Sequence, residues 1–324
     1  MNVDAQQMFE RQGACLLAHS EDCWVWQFRN ETGDGTMTVY QVFPGVMLSF
    51  NDFHMERYDC SFVSQGRMLA IDHCREGRME YAVGDNLVGY TASGDMKLDL
   101  RRQHAGVFSF PSCHYHGLTV GFDLDIAARS LAQQVQDFPV TPEKLLERWA
   151  LADTPRVVHG AQGTEHIFGE LYRVPEKIRM PYFRLKILEL LLCLDAMTIP
   201  ADSAGQPYFY KSQVEKVKAI RQFLMEHVAE SFTQEELSAR FDIPMTAMKA
   251  CFRSVYGAAI GAWLLRYRMS LAAELLLSRR ELSVAEVGGR VGYDNPGKFT
   301  EAFKRVMHLT PSQYRKERGM QHEI

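Results

Sequence analysis

The C-terminal third of the chain carries one hydrophobic pattern twice. From Leu282 to Arg315 it reads LSVAEVGGRVGYDNPGKFTEAFKRVMHLTPSQYR. Val284, Val287 and Val291 recur at i, i+3 and i+7, the apolar stripe of a short helix. Gly292 breaks the stripe, and Asp294-Asn295-Pro296-Gly297 is turn chemistry leading into a new helix. Phe299 and Phe303 stand four apart, so they share the buried face of that second helix. Asn295, Gly297, Lys298, Glu301 and Arg305 are left on the outward side. Thr310-Pro311 opens a closing helix, with Thr as N-cap and Pro at the first helical position. Two short helices, a tight turn and a polar, partly basic outer face describe a helix-turn-helix reader of DNA.

The copy upstream, Phe232 to Gly257, reads FTQEELSARFDIPMTAMKACFRSVYG. Leu237 aligns with Val287 at an offset of 50, and Phe252 with Phe303 at 51, so one extra residue falls in the second turn. Ser238 and Gly288 are the small residues where the first helix approaches the second. Two copies in register are a far more specific signal than one. Between them, Ala259 to Arg279 reads as one long helix with Ile260, Trp263, Leu264, Tyr267, Leu271 and Leu275 as its apolar stripe. A helix of ~20 residues spans ~30 Å, close to the ~34 Å of one DNA turn.

The first 123 residues have a different period. Met37–Phe43 is β-branched and aromatic, and Pro44-Gly45 turns it into Val46–Phe50. Further strands are expected at Arg67–His73, Met79–Val83, Asn86–Tyr90, Met96–Leu100, Gly106–Phe110 and Tyr115–Phe122, with a hairpin turn at Arg75-Glu76-Gly77-Arg78. Short, closely spaced strands of this kind predict an antiparallel sandwich or barrel. Helical character takes over from residue 124 to 197, with candidates at Ile126–Val135, Thr141–Ala150, Glu165–Val174 and Pro181–Met197. The last carries Phe183, Ile187, Leu190, Leu191 and Leu194, either a helix packed on the barrel or a dimer helix. Residues 198–211 read as a linker, and residues 212–324 as the DNA-binding part, its first helix turning Val214, Val217, Phe223, Leu224 and Val228 inward.

Charge sharpens this division. The 324 residues carry 36 Lys+Arg against 40 Asp+Glu. From Lys211 onward the count is 18 against 13, a surplus of five positive charges, and before it 18 against 27, a deficit of nine. That asymmetry is expected where one part alone meets phosphate. Seven cysteines, an odd number without CxxC pairs, point to reduced thiols in the cytoplasm. The start shows no signal peptide. The most apolar run, Ile187–Leu194, holds Glu189 and is too short to span a bilayer.

The text ARFDIP, FRSVYG, WLLRYRMSLAAELLL and VGYDNPGKFTEAFKR followed by TPSQYR resembles the AraC/XylS family of bacterial transcription regulators, from about Val214 to Arg318. DHCREGRMEY and NPGKFTEAFKR resemble its siderophore-sensing branch. The sequence departs from the family pattern at His308, where Gly is usual and another C-cap is required, and at Gly288, where Ala is usual. The resemblance implies an α+β chain: a cupin-like antiparallel β-barrel that senses an effector (1–123), a helical dimerisation segment (124–197), the linker, and an all-α double helix-turn-helix domain. It implies double-stranded DNA, a small-molecule effector, RNA polymerase and a second copy of the chain as partners, and no enzymatic activity. Matching to the family places base contacts near Thr246, Lys249 and Ala250, with Arg253 near phosphate. In the second reading helix the matched positions are Pro296, Gly297, Thr300 and Glu301, a poor set for reading bases. That unit is expected to hold the backbone through Lys298, Lys304 and Arg305, with Asn295 beside them. Arg266 and Arg268 are expected to have structural roles.

One constellation points elsewhere. In Cys113-His114-Tyr115-His116 the two His would share one strand face, the spacing of a metal pair, which His73, His104 or Glu80 could join. The competing function is a cupin-type metalloenzyme fused to a DNA-binding tail. Against the metal site, His114 and His116 are read as an edge or loop feature or as the lining of an effector pocket with His73, Arg78 and Glu80; Arg78 and Glu80 alternate onto one face that reads first as solvated, and no bound metal is expected. No Gly-rich phosphate loop, zinc spacing or nucleophile elbow appears, so no cofactor is expected.

Overall fold

The computed structural model describes residues 14–62, 67–101, 104–151, 154–161, 163–199 and 208–319. The start of the chain and the core of the expected linker, residues 200–207, lie outside the described residues, as do the side chains of Cys60 and His104. The chain divides into two compact units, residues 1–208 and 209–324.

The first unit is a curled antiparallel sheet, a half-barrel covered on one face by helices. Its strands are β1 (Cys15–His19), β2 (Cys23–Asn30), β3 (Gly33–Phe43), β4 (Val46–His54), β5 (Arg57–Phe62), β6 (Met68–Val83), β7 (Leu87–Ala92), β8 (Met96–Arg101), β9 (His104–Ser109), β10 (Tyr115–Asp123) and β11 (Arg156–Val158). They run in the order β1-β2-β3-β4-β10-β6-β7, with β8 also on β6, β11 outside β8, and β9 joining β5 to the end of β6. The strand pattern of the sequence is thus recovered, with β1, β2, β5 and β11 added. β2 is hard to see because Trp24, Trp26 and Phe28 are buried while Val25 between them is half-buried, which blurs the alternation.

The expected hairpin at Arg75–Arg78 does not form. β6 runs through it unbroken. Opposite β10, Tyr115 faces Gly77, His116 faces Glu76 and Gly117 faces Cys74, leaving Arg75 as the extra residue of a β-bulge. Gly77 has φ 83°, and a Cβ there would lie 2.0 Å from the His114 carbonyl oxygen. A bulge bends the strand it interrupts, and accordingly β6 pairs with β8 before the bend and with β7 after it.

Four helices follow: α1 (Leu124–Gln134), α2 (Pro142–Trp149), α3 (Glu165–Leu171) and α4 (Arg179–Ala196). Thr141 caps α2 with Pro142 inside its first turn, as the sequence predicts. Their buried faces meet Leu69, Ile71, Leu118, Val120 and Phe122 of the sheet in one core. α4 buries Phe183, Ile187, Leu190, Leu191 and Leu194 while Leu185 and Leu192 remain 65% and 43% exposed. No described helix is long and apolar enough to cross a membrane.

From Lys211 on, the second unit is helical in its described elements: α5 (Lys211–Glu226), α6 (Gln234–Arg240), α7 (Met245–Tyr256), α8 (Ile260–Ser278), α9 (Val284–Arg290), α10 (Pro296–Met307) and α11 (Pro311–Gly319). Its repeat extends from position to capping and packing contacts. Thr233 and Ser283 begin α6 and α9 with capping boxes closed by Glu236 and Glu286. Ile243 donates to the Ser238 carbonyl at 3.1 Å, and Tyr293 to the Gly288 carbonyl at 2.9 Å. The rings of Phe252 and Trp263 meet edge-on, as do those of Phe303 and Tyr314. The offset is 50 through the first helix of each unit and 51 from the start of the reading helices.

The apolar stripe expected on α8 is too narrow. Trp263, Leu264, Tyr267, Leu271 and Leu275 are half-buried, whereas Met269, Ala272, Ala273 and Leu276 join Ile260 among the buried residues. Helix α8 packs against α7, α9, α10 and α11, so contact spreads around the helix and small Ala residues take the closest approaches.

Candidate functional site

Helix α7 presents Thr246, Lys249, Ala250 and Arg253 at i, i+3, i+4 and i+7, and all four are exposed. Behind them Met248, Cys251, Phe252 and Val255 are buried, which fixes the helix's rotation. The matching helix α10 presents Gly297, Lys298, Glu301, Lys304 and Arg305 to solvent over a core of Phe299, Ala302 and Phe303. Two residues predicted to meet DNA already have local tasks here. The Asn295 side chain accepts from the Lys298 N–H as the helix N-cap. Half-buried Thr300 donates its hydroxyl to the Pro296 carbonyl at 2.8 Å. On α8, Arg268 donates to the carbonyls of Val228 and Glu230 at 2.8 and 2.6 Å, the structural role expected of it. Arg266 is exposed.

Of the residues predicted to form an effector pocket, His73 and His116 both approach the Tyr172 ring, while His114 and Glu80 have partners of their own. His73 is buried, stacked on Phe168 at 4.3 Å, and its Nδ1 has no hydrogen-bond partner among the described residues. Burial drives its pKa down to about 4, with the Arg75 charge adding to the effect, so it is neutral at pH 7. His116 meets Tyr172 edge-on, and burial lowers its pKa as well. Glu80 accepts from the Tyr90 hydroxyl at 2.6 Å. Arg78 is half-buried, and burial lowers its pKa. His114 stands just before β10 and faces His54 of β4, their Nδ1 atoms 3.4 Å apart. The metal pair imagined between His114 and His116 is therefore replaced: a turn with Cys113 at φ 55° precedes the strand, and it delivers His114 to a neighbour on another strand.

A polar cluster on the sheet face away from the helices was missed. Asp72 is ion-paired with Arg101 and with Lys97 at 3.0 Å, and it accepts from the Thr119 hydroxyl at 2.7 Å. Asn51 in turn donates to Thr119 at 3.3 Å. Lys97 and Arg101 also reach Asp99, at 3.2 and 3.3 Å. Burial works to raise the Asp72 pKa, but the Arg101 and Lys97 charges outweigh it and hold the carboxyl below its usual range. The signal lay in Lys97, Asp99 and Arg101, which alternate along one strand; such a pattern reads as solvated unless the other sheet edge is known to curl over it.

A family model described as a helix-turn-helix domain matches residues 237–317. Over 99 residues the chain is 28% identical to the HTH-type transcriptional regulator ExsA of Pseudomonas aeruginosa, covering 31% of this chain and 35% of that one. It is 30% identical over 109 residues to the arabinose operon regulatory protein of Escherichia coli, covering 31% and 34% of the two chains. The solved C-terminal domain of AraT, a response regulator from Geobacillus stearothermophilus, is 33% identical across 31% of this chain and 84% of that one, at a TM-score of 0.30. The match spans about a third of the length of these curated relatives. The matched stretch takes in both reading helices, and residues 237–317 form a helix-turn-helix domain of the type carried by AraC-family transcription regulators. The matched domain and these relatives are regulators of transcription rather than enzymes.

Proposed function

We propose that this chain binds specific double-stranded DNA through its two helix-turn-helix units, as a homodimer whose occupancy of DNA or contact with RNA polymerase is set by a small-molecule effector. The observation that carries the reading is the pair of solvent-facing helices α7 and α10 on one repeated scaffold. Helix α8 between the units has 19 residues, ~28 Å at 1.5 Å per residue, compatible with successive major grooves. Thr246, Lys249 and Ala250 supply base contacts, and Arg253, Lys298, Lys304 and Arg305 supply phosphate contacts; Asn295, Gly297 and Thr300 shape the start of the second reading helix.

The first 123 residues serve as a cupin-like sensing domain and residues 124–197 as the dimerising segment, joined by a linker at 198–211 to the DNA-binding part at 212–324. Exposed Leu185 and Leu192, seven apart on the open side of α4, offer the apolar seam such a dimer needs. Buried polar groups on the sheet face away from the helices suit a polar effector better than the scattered His73, Arg78, Glu80, His114 and His116. An effector acts only through its unequal affinity for two arrangements of the protein.

The test is a fluorescence-anisotropy titration of the full chain against DNA upstream of its own gene, with a salt series, a scrambled duplex and Lys249→Ala. Specific binding weakened by that substitution supports the reading. If neither this duplex nor a selection from random DNA yields a preferred site, the reading is wrong. Leu185→Asp with Leu192→Asp tests the dimer by sedimentation; an unchanged mass for the double variant removes α4 from the interface.

A further inference from the structure

Four side chains on the half-barrel form a chain that neither the DNA-binding units nor the inner polar cluster uses. The Asp52 carboxylate lies 3.2 Å from His54 Nε2. His54 Nδ1 lies 3.4 Å from His114 Nδ1. His114 Nε2 lies 3.5 Å from the Glu76 carboxylate. Strand register builds this arrangement: Asp52 and His54 are two apart on β4 and share a face, and the pairing of Phe53 with Tyr115 brings His114 opposite His54. The same register sets Glu76 opposite His116 at the bulge of β6.

Proton placement makes the arrangement unusual. A carboxylate at neutral pH only accepts hydrogen bonds. Asp52 and Glu76 therefore each select the imidazole tautomer that carries its proton on Nε2. Both Nδ1 atoms are then left as lone pairs facing one another across 3.4 Å. Two facing lone pairs repel unless something positive lies between them. Two imidazole nitrogens bound at ~2.0–2.1 Å to a tetrahedral zinc stand ~3.3–3.4 Å apart, which is the separation seen. Carboxylates on the far ring nitrogens are the usual outer partners of metal-bound histidines, where they orient the ring and raise its basicity.

From this geometry we propose that His54 Nδ1 and His114 Nδ1 bind a divalent transition-metal ion of borderline softness, zinc or a cation of similar preference. Asp52 and Glu76 hold the two rings in the binding tautomer. Two carboxylates flank the pair, one of them 3.8 Å from the Arg75 guanidinium, and their negative charge favours a cation. Water or a bound effector completes the coordination shell. The ion would tie the β4 end to the turn before β10, and would make this face of the first unit responsive to metal supply without any catalysis.

The experiment is a Co²⁺ titration of the chelator-treated full-length protein, followed by its visible d–d absorption and by equilibrium dialysis, with Zn²⁺ competition. One ion per chain is expected, with affinity lost in His54→Ala and in His114→Ala. Asp52→Asn and Glu76→Gln are expected to weaken it by about 10–100-fold, and they decide the matter if a His variant does not fold, since Asp52 and Glu76 are 47% and 57% exposed. Absence of saturable binding overturns the proposal. So does uptake that survives both His substitutions, or a thiolate-to-cobalt charge-transfer band, which would place the ion on the cysteines instead.

Discussion

The two helix-turn-helix units make the same two left-handed bends but assign glycine to them crosswise. In the turn between the paired helices the left-handed residue is Asp242 in the first unit and Gly292 in the second; at the end of the reading helix it is Gly257 in the first and His308 in the second. Each bend is obligatory, because the chain must reverse there whatever residue is present. At one of the two non-glycine positions a side chain supports the bend. Lys216 binds both the carbonyl and the carboxylate of Asp242. His308 stands where the family glycine is expected and caps α10 just as Gly257 caps α7, its N–H donating to the Lys304 carbonyl. The scaffold is thus conserved between the copies by packing and hydrogen bonds, while single residues, including those on the reading faces, are free to diverge.

Four measurements sharpen or break this equivalence, beginning with the largest effect. Phe252 and Phe303 are both fully buried, so replacing either by Ala is expected to destabilise its unit by about 3–5 kcal/mol. Urea unfolding of the two variants should give similar losses; a several-fold disparity would mean that the cores are not equivalent. Gly292→Ala comes next. It must place a side chain in left-handed backbone, which costs about 1–2 kcal/mol, and its Cβ would lie 2.7 Å from the Ala229 carbonyl oxygen. A loss beyond that range is expected in thermal melts, and a neutral result would show that the turn can be rebuilt.

Reading-face substitutions separate the units in another way. Lys249→Ala is expected to cost about 1–3 kcal/mol of affinity on a preferred duplex if Lys249 reads a base, whereas Glu301→Ala, at the counterpart of Ala250 in the second unit, should cost nothing or improve binding. Equal losses in anisotropy titrations would deny the first unit its larger share of recognition. The smallest effect is at His308→Gly. Relief of a left-handed side chain should stabilise the protein by no more than about 1 kcal/mol, since glycine also has more freedom to lose on folding. Destabilisation by the change would reveal a contact made by the imidazole.

Much of the second unit was legible beforehand because its determinants are local. Val287, Val291, Phe299 and Phe303 announce their helices by spacing, and Thr310-Pro311 announces the last one. The width of the α8 contact surface was not, since Met269, Ala272 and Ala273 become core only when four helices close around them. In the first unit the strands at Met37–Phe43, Val46–Phe50 and Tyr115–Phe122 were visible from composition and turns. The Arg75–Arg78 segment misled because a Gly in a charged tetrapeptide serves a hairpin and a bulge equally well. Lys97, Asp99 and Arg101 misled for a related reason, as alternation states which residues share a face but not which face is covered.

The amino-acid sequence by itself determined the helical repeat, the exposed positions of its two reading helices and the type of its C-terminal domain, because periodicity, capping and turn residues act over a few neighbours. Only the tertiary structure decided that β6 bends rather than ends, that Asp72 is buried between two cations, and that His114 faces His54 instead of sharing its task with His116. Those outcomes depend on the register of strands 47 to 68 residues apart, such as Thr119 with Asp72 and with Asn51. No local preference encodes such a pairing; it is settled when the sheet curls and each strand finds the alignment that buries its apolar face.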